Sequence, residues 1–165
     1  MHAFGTLYDL YHRDVIRLVA RMLGPDADVR DVAQAAFVEI GKSIHRFDGR
    51  SSLRTWIFGL VANLACKHIR KAVRRRRAMR GLTELPQHLP TRPDEAYERA
   101  EALRILQAGL DDLDPKRRVT FVLCTIEGLG PEEAAAALGV PIGTVYRRLS
   151  EARAHLRNAL TGARQ

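Results

Sequence analysis

The residues best suited to chemistry lie between Phe47 and Arg77. This stretch begins as a short polar loop, continues as an apolar helical pattern around the single tryptophan, Trp56, and ends in a run of arginines. The loop could hold an extruded base, Trp56 could support a stacked base, and the arginines would lie along phosphates. The stretch therefore predicts a single-stranded nucleic-acid site. Taken alone it also fits a core helix with a solvated basic tail, since charge runs are usually solvated.

The basic surplus of the sequence is concentrated in the same stretch. The chain has 165 residues, with 27 Lys/Arg against 19 Asp/Glu and a formal net charge of +8. Residues 49–83 contain ten basic residues and no acidic one, so the remainder carries 17 − 19 = −2. A local block of this kind indicates a polyanionic partner more strongly than a high overall pI does.

Helical periodicity runs through the chain and predicts an all-α protein. Apolar residues recur at spacings of three and four, and strict alternation is absent. Residues 81–93 contain three prolines in thirteen positions, which excludes a helix there. We therefore predict two small helical domains, residues 1–80 and 96–165, joined by a Pro-rich flexible linker over 81–95.

The first domain is predicted to contain three helices. The first ends at Gly24-Pro25, the second begins at Asp26 or Asp28, and the third follows a serine cap in the loop before Leu53. The residues expected to face the core are Phe4, Leu7, Tyr8, Tyr11, Val15, Leu18, Met22, Val29, Val32, Ala33, Ala36, Phe37, Ile40, Leu53, Trp56, Ile57, Leu60, Val61 and Leu64.

The second domain has helix-starting and helix-ending residues at the positions expected for a helix-turn-helix unit. Asp114-Pro115 begins a helix, Pro131 begins a short one that ends at Gly139, and a last helix begins near Thr144. Its inward residues are expected to be Val119, Val122, Leu123, Ile126, Val145, Leu149, Ala152, Leu156 and Leu160.

The outer face of the last helix is suited to reading duplex DNA. Near its start, Arg147 could read guanine, Glu151 could accept from cytosine, and Ser150 is permissive. Arginines further along, Arg153 and Arg157, are of the kind that hold phosphates. The alternative is a solvated outer face on a small helical domain.

Other site classes find little support in the sequence. Cys66 and Cys124 fall in apolar helical patterns and are interpreted as reduced core thiols of a cytosolic protein. The six histidines have no metal-ligand spacing, and no carboxylate cluster lies in the basic region, so we predict no metal, no cofactor and no enzymatic activity. No apolar run is long enough to span a membrane and the N-terminus lacks a signal-peptide core, which predicts a cytoplasmic protein without membrane insertion.

Two blocks of the sequence together resemble one family. The blocks are DVRDVAQAAFVEI with RFDGRSSLRTWIFGLVANLACKHIRK, and GLDDLDPKRRVTFVLCTIEGLGPEEAAAALGVPIGTVYRRLSEARAHL. In order and spacing they resemble the extracytoplasmic-function (ECF) group of bacterial sigma factors, within the sigma-70 family. The resemblance implies a non-enzymatic subunit that binds core RNA polymerase, recognises and melts the minus-ten promoter element, and reads the minus-thirty-five element.

The resemblance also implies roles for particular residues. Those that would bind minus-ten DNA, including a pocket for a flipped base, are Asp48, Gly49, Arg50, Ser51, Ser52, Trp56, Asn63, Lys67, Arg70, Lys71 and Arg74. Those that would bind minus-thirty-five DNA are Thr144, Tyr146, Arg147, Arg148, Ser150, Glu151 and Arg153. Those that would bind the polymerase are Asp31, Gln34 and Phe37. From the residues alone, Asn63 could equally cap or bond a backbone group. The resemblance places Trp56 beside the pocket and leaves open a role mainly in the core.

The implied partners are the clamp of the largest polymerase subunit, the flap of the second-largest subunit, and promoter DNA as duplex and as non-template single strand. An anti-sigma factor is a further candidate partner. The sequence departs from the family pattern at Ala35, Lys67, Gly130-Pro131 and Glu151, and the last departure suggests a distinct base preference. The alternative function is a free-standing helix-turn-helix regulator, which leaves the first domain unexplained.

Overall fold

Seven α-helices form the part of the chain that the computed structural model describes, residues 2–24, 28–79 and 95–162. They are α1 His2–Leu23, α2 Val29–Ser43, α3 Leu53–Met79, α4 Glu95–Asp112, α5 Pro115–Phe121, α6 Pro131–Leu138 and α7 Ile142–Gly162. A 3-10 turn follows α2 and a π-helical segment follows α5. These ranges contain no strand, which confirms the all-α prediction. Of the predicted linker over 81–95, all but Glu95 lies outside the described residues.

Helices α1, α2 and α3 pack on one another and form the first domain. Their apolar stripes meet at fully buried side chains such as Leu18, Ile40 and Phe58. The serine cap is confirmed, because Ser52 Oγ accepts a hydrogen bond from the backbone N–H of Thr55 at 3.0 Å.

Three details of the first domain differ from the prediction. Asp28 occupies the N-cap position of α2, but its side chain makes no capping hydrogen bond. Phe4 and Tyr8 were predicted to face the core, yet they are 40% and 44% exposed. Both lie near the start of α1, where few neighbours are available to cover large rings.

Helices α4 to α7 form the second domain, and the predicted helix starts and stops are confirmed. Asp114 caps α5 by accepting from Lys116 N at 3.0 Å, and Pro131 is the first residue of α6. Gly139 ends α6 with φ of +63°, a left-handed value that glycine adopts without strain. Helices α6 and α7 therefore make a helix-turn-helix unit. Leu160 was expected to be buried but is 38% exposed near the end of α7.

The π-helical segment Val122–Ile126 was not predicted. Its wider turn is closed by hydrogen bonds from Glu127 N to Val122 O and from Leu129 N to Leu123 O. Because a π turn holds more residues than an α turn, it shifts the apolar period within the helix. Ile126, predicted to face inward, is consequently exposed, and Glu127 is directed toward the first domain.

The two domains pack against each other. Helix α3 contacts both α5 and α6, and side chains from the two domains belong to a single buried apolar cluster. A second, smaller cluster around Leu110, Phe121 and Leu156 belongs to the second domain alone. No helix among the described residues is long and apolar enough to cross a membrane.

Candidate nucleic-acid interface

The loop before α3 is held in a tight turn by one acidic residue. Asp48 accepts from the backbone N–H of Arg50 at 3.1 Å and from Arg50 Nε at 2.5 Å. These bonds, the backbone one first, lower the pKa of Asp48 below its ordinary value. Gly49 permits the turn with φ of +74°. The loop therefore presents Ser51 and Ser52 next to the first turn of α3.

A cavity of about 240 Å³ lies where this loop meets α3. On the first-domain side it is lined by Ser51, Trp56, Gly59, Leu60 and Asn63. The opposite wall is the end of α6, residues 136–139. The structure thus brings Ser51 of the predicted loop together with Trp56 and Asn63 at one site, whereas Asp48, Gly49, Arg50 and Ser52 do not line the cavity.

Asn63 is the best placed recognition group in this cavity. Its side chain is exposed, and it has no hydrogen-bond partner within the described parts of the chain. The interpretation of Asn63 as a backbone cap is therefore wrong. A free carboxamide offers two donors and one acceptor oxygen, which suits the hydrogen-bonding edge of a base.

Trp56 supports the wall of the cavity. It is half-buried, packs against the apolar cluster, and lies with its ring centroid 5.6 Å from that of Phe47 in a tilted arrangement. One part of the indole is thus fixed by the core and another borders the cavity. Trp56 serves both the core and the site.

The basic residues of α3 extend from the same side of the helix as Asn63. A helix with 3.6 residues per turn aligns position 63 with Lys67, Arg70 and Arg74, all of which are exposed. Lys71 is exposed as well and borders a groove shared with Asp28 and Asp31 of α2. We call Lys67, Arg70, Lys71 and Arg74 the basic rail; the side chains of Arg76 and Arg77 lie outside the described residues.

Helix α7 presents the second predicted DNA surface. Tyr146, Arg147, Ser150 and Arg153 are exposed, whereas Thr144, Arg148 and Glu151 are half-buried. A shallow groove of about 530 Å³ is lined by Pro131, Tyr146, Leu149, Ser150, Arg153, Ala154 and Arg157. The predicted outer face is therefore continuous along the first three turns of the helix.

One partner of this surface was missed by sequence reasoning. Arg117 of α5 donates from Nε to Glu151 Oε2 at 2.8 Å and holds that carboxylate from one side. The two residues are 34 positions apart, so no local spacing in the sequence signals the pair.

The predicted polymerase-binding residues separate into two groups. Asp31 and Gln34 are exposed on α2, but Phe37 is buried, with its ring 4.7 Å from that of Tyr8. The Phe37 ring is therefore not accessible at the surface, because Tyr8 of α1 packs on it. Tyr8 was predicted as a core residue, and its partial exposure could not be read from the apolar stripe.

The two cysteines are free thiols, and burial raises the pKa of both Cys66 and Cys124. Cys66 is buried as predicted, while Cys124 is only half-buried. No group of three or more potential metal ligands occurs among the described residues.

Sequence reasoning also did not predict a role for Arg54, Gly59 and Glu127. The Arg54 guanidinium lies 4.3 Å from the ring centroid of Phe58 and donates to Glu127 of the second domain at 3.5 Å. Gly59 lies directly against the backbone of Ala137. All three occur where the two domains meet. Only contacts between residues distant in sequence reveal their roles.

Comparisons with known proteins give consistent matches in both halves. Residues 7–75 match the family model of Sigma-70 region 2, and residues 103–156 match that of Sigma-70, region 4. The chain is 35% identical over 153 residues to the ECF RNA polymerase sigma factor SigE of Mycolicibacterium smegmatis, covering 90% of this chain but only 58% of that protein.

It is also 30% identical over 166 residues to the ECF RNA polymerase sigma factor SigW of Bacillus subtilis, covering 96% of this chain and 89% of that one. The sigma factor RpoE of Bartonella quintana, solved in complex with the anti-sigma factor NepR, has a similar fold. The TM-score is 0.70 at 21% identity, over 98% of each chain.

Proposed function

The chain belongs to the ECF group of the sigma-70 family of RNA polymerase sigma factors, and from that premise we propose how its surfaces direct initiation. In this proposal residues 1–80 bind core polymerase and recognise and melt the minus-ten element. Residues 96–165 read the minus-thirty-five element. Neither domain performs covalent chemistry.

One observation carries the proposal for the first domain. Ser51, Trp56 and the unpaired amide of Asn63 border one cavity, and the basic rail begins one helical turn beyond it. A pocket with a hydrogen-bonding group, an aromatic wall and adjacent phosphate contacts has the parts needed to capture an unpaired base on a single strand.

Base capture would make melting depend on sequence. Extruding a base costs a few kcal/mol of lost stacking and pairing, and binding the correct base in the cavity offsets part of that cost. The basic rail adds affinity that is independent of sequence and falls with salt. Asn63 would select the base, while Lys67, Arg70 and Arg74 would hold the strand.

The second domain would read duplex DNA through α7. Tyr146, Arg147 and Ser150 are exposed near its start, the part of a recognition helix that enters the major groove. Arg153 and Arg157 lie further along and would contact phosphates. Glu151, held by Arg117, would add an acceptor suited to cytosine.

Core polymerase would dock on the exposed side of α2. Asp31 and Gln34 supply polar contacts there, and Tyr8 over Phe37 supplies an adjacent aromatic surface. Through the family, the largest-subunit clamp is the proposed partner of this surface and the flap of the second-largest subunit that of the second domain. An anti-sigma factor is proposed as the inhibitory partner.

Reconstitution with core polymerase tests the proposal. The purified chain and core polymerase are used to select promoters from a random library, and the recovered sequences are transcribed in vitro. We expect two enriched elements and transcripts that require both components. If the chain binds duplex tightly alone, and core polymerase neither associates with it nor gains specificity, the free-standing regulator is correct instead.

A further inference from the structure

We propose that Asp48 is a positioning residue for base capture, which holds the loop before α3 in the shape that presents Ser51 to the cavity. The proposal rests on the proposed function, because it assigns that cavity to an unpaired base. Asp48 was predicted to bind minus-ten DNA directly. In the structure its hydrogen bonds are made within the loop, to Arg50, and Asp48 does not line the cavity.

Both ends of the loop are fixed by the first domain. At its start, the half-buried Phe47 ring packs on Trp56, with the ring centroids 5.6 Å apart. At its end, Ser52 Oγ accepts from the backbone N–H of Thr55 at 3.0 Å, and Thr55 is buried. The residues between these anchors, 48–51, therefore determine the shape of the loop.

Packing does not hold the turn between the anchors. Gly49 has a φ of +74°, and a Cβ atom placed on it would meet no atom within 4 Å. Asp48 and Arg50, on either side of it, are exposed. Because glycine is the least restricted residue, the turn would sample many conformations unless a hydrogen bond fixed it.

Asp48 supplies that constraint through both of its carboxylate oxygens. Oδ1 accepts from the backbone N–H of Arg50 at 3.1 Å, which closes a turn around Gly49. Oδ2 accepts from Arg50 Nε at 2.5 Å. The residue that follows Arg50 is Ser51, so fixing the backbone of Arg50 also fixes the direction from which Ser51 enters the cavity wall.

The charge of Asp48 disfavours direct contact with a nucleic-acid strand. Phosphates repel a carboxylate, and both oxygens of Asp48 are already bonded to Arg50. Ser51, in contrast, carries a neutral hydroxyl that can donate to or accept from a base. Asp48 therefore acts on the base through Ser51.

The backbone bond of Asp48 matters more than its ion pair. The side chains of Arg50 and Asp48 are 89% and 51% exposed, and such a pair contributes little and is screened by salt. The bond to the backbone N–H determines the path of the chain. An amide oxygen can accept that bond as well, so Asp48→Asn keeps the turn, whereas Asp48→Ala loses it.

Base discrimination by the complex with core polymerase tests the inference. The probes are four labelled non-template strands from a selected promoter, which differ only at the most strongly selected minus-ten base. Asp48→Ala should bind the preferred strand about fivefold more weakly, since apparent affinity falls with the fraction of loops in the binding shape. Asp48→Asn should stay within about twofold of the wild type. Asp112→Ala, at an exposed aspartate that ends α4, is the matched control and should match the wild type.

Two further measurements follow the route of the effect. Ser51→Ala should lower the same preference, and adding Asp48→Ala should lower it little further, because Asp48 acts through Ser51. Hydrogen exchange in the free chain measures the loop itself, and the amides of residues 49–52 should exchange faster in Asp48→Ala than in the wild type or Asp48→Asn. The melting temperature should be unchanged in every variant, since an exposed pair adds little stability.

Three results would overturn the inference. An unchanged base preference in Asp48→Ala would show that the loop needs no holding. An equal loss in Asp48→Asn would assign the effect to charge, and additive losses in the double variant would mean that Asp48 contacts the strand itself. A failure of the proposed function has a different signature: the wild-type complex shows no preference among the four strands, while hydrogen exchange still detects the loosened loop in Asp48→Ala.

Discussion

Arg117 of α5 and Glu151 of α7 form an ion pair of 2.8 Å between Nε and Oε2. Both side chains are partly exposed, at 43% and 35%, so the pair contributes little to the free energy of unfolding. Its importance lies in orientation. The ion pair with Arg117 fixes the direction in which the Glu151 carboxylate points.

Replacing Arg117 should therefore change DNA preference more than stability. We expect Arg117→Ala to lower the free energy of unfolding by less than about 1 kcal/mol and to relax the base preference at the position that Glu151→Ala also affects. Promoter selection and urea denaturation measure the two effects. Arg17→Ala, which breaks the exposed pair with Asp14 on α1, is the matched control and should leave preference unchanged. An unaltered preference for Arg117→Ala would mean that Glu151 needs no positioning.

Arg147 is exposed near the start of α7, where a base contact is expected. Arg147→Ala should weaken binding by ~1 to 3 kcal/mol on the preferred minus-thirty-five sequence and much less on sequences substituted at one base. Arg153→Ala should weaken all sequences alike, because a phosphate contact carries no sequence information. Competition binding of the polymerase complex to variant promoters measures both. Equal losses across sequences for Arg147→Ala would reassign it to phosphate.

The basic rail should make the affinity for promoter DNA depend on salt concentration. Arg70 is exposed on the same side of α3 as Asn63, so Arg70→Ala should weaken promoter binding and reduce the slope of log K against log salt by about one. Arg13→Ala, an exposed arginine on α1, serves as the control and should keep the wild-type slope. An unchanged slope for Arg70→Ala would remove Arg70 from the DNA path.

Much of the fold follows from local signals in the sequence. Ser52, Asp114 and Pro131 start helices where their side chains or ring geometry predict, and Gly139 ends α6 with the left-handed conformation that its type predicts. The convergence of Ser51, Trp56 and Asn63 was predicted through the family resemblance, and the structure brings these residues to one cavity.

The remaining features depend on contacts distant in sequence. The π-helical segment changes the helical period after α5. An apolar stripe with the α-helical period correctly predicts that Val122 and Leu123 are buried, but it wrongly predicts the same for Ile126. Arg118 is buried and bonded to Asp111, although its residue type predicts the surface. The pairing of Gly59 with Ala137 arises only when two separately predicted domains meet.

Burial of Cys66 gives a prediction about pH. The raised pKa means that the folded chain keeps its thiol proton above pH 9.0, the ordinary value, where the unfolded chain loses it. The folded state then binds more protons, so this contribution to stability is complete below that pH and declines above it. Urea denaturation over a pH series should show a shallower decline for Cys66→Ala than for the wild type. Parallel declines would show that Cys66 ionises equally in both states.

The central claim is that Asn63 meets an unpaired base during melting. The decisive measurement is permanganate footprinting of unpaired thymines on a selected promoter, with core polymerase and either the wild type or Asn63→Ala. Asn158→Ala, an exposed asparagine on α7, is the control, and polymerase binding is measured in parallel. We predict that Asn63→Ala binds polymerase normally but opens the minus-ten region far less than the wild type. Normal opening by Asn63→Ala would contradict the account.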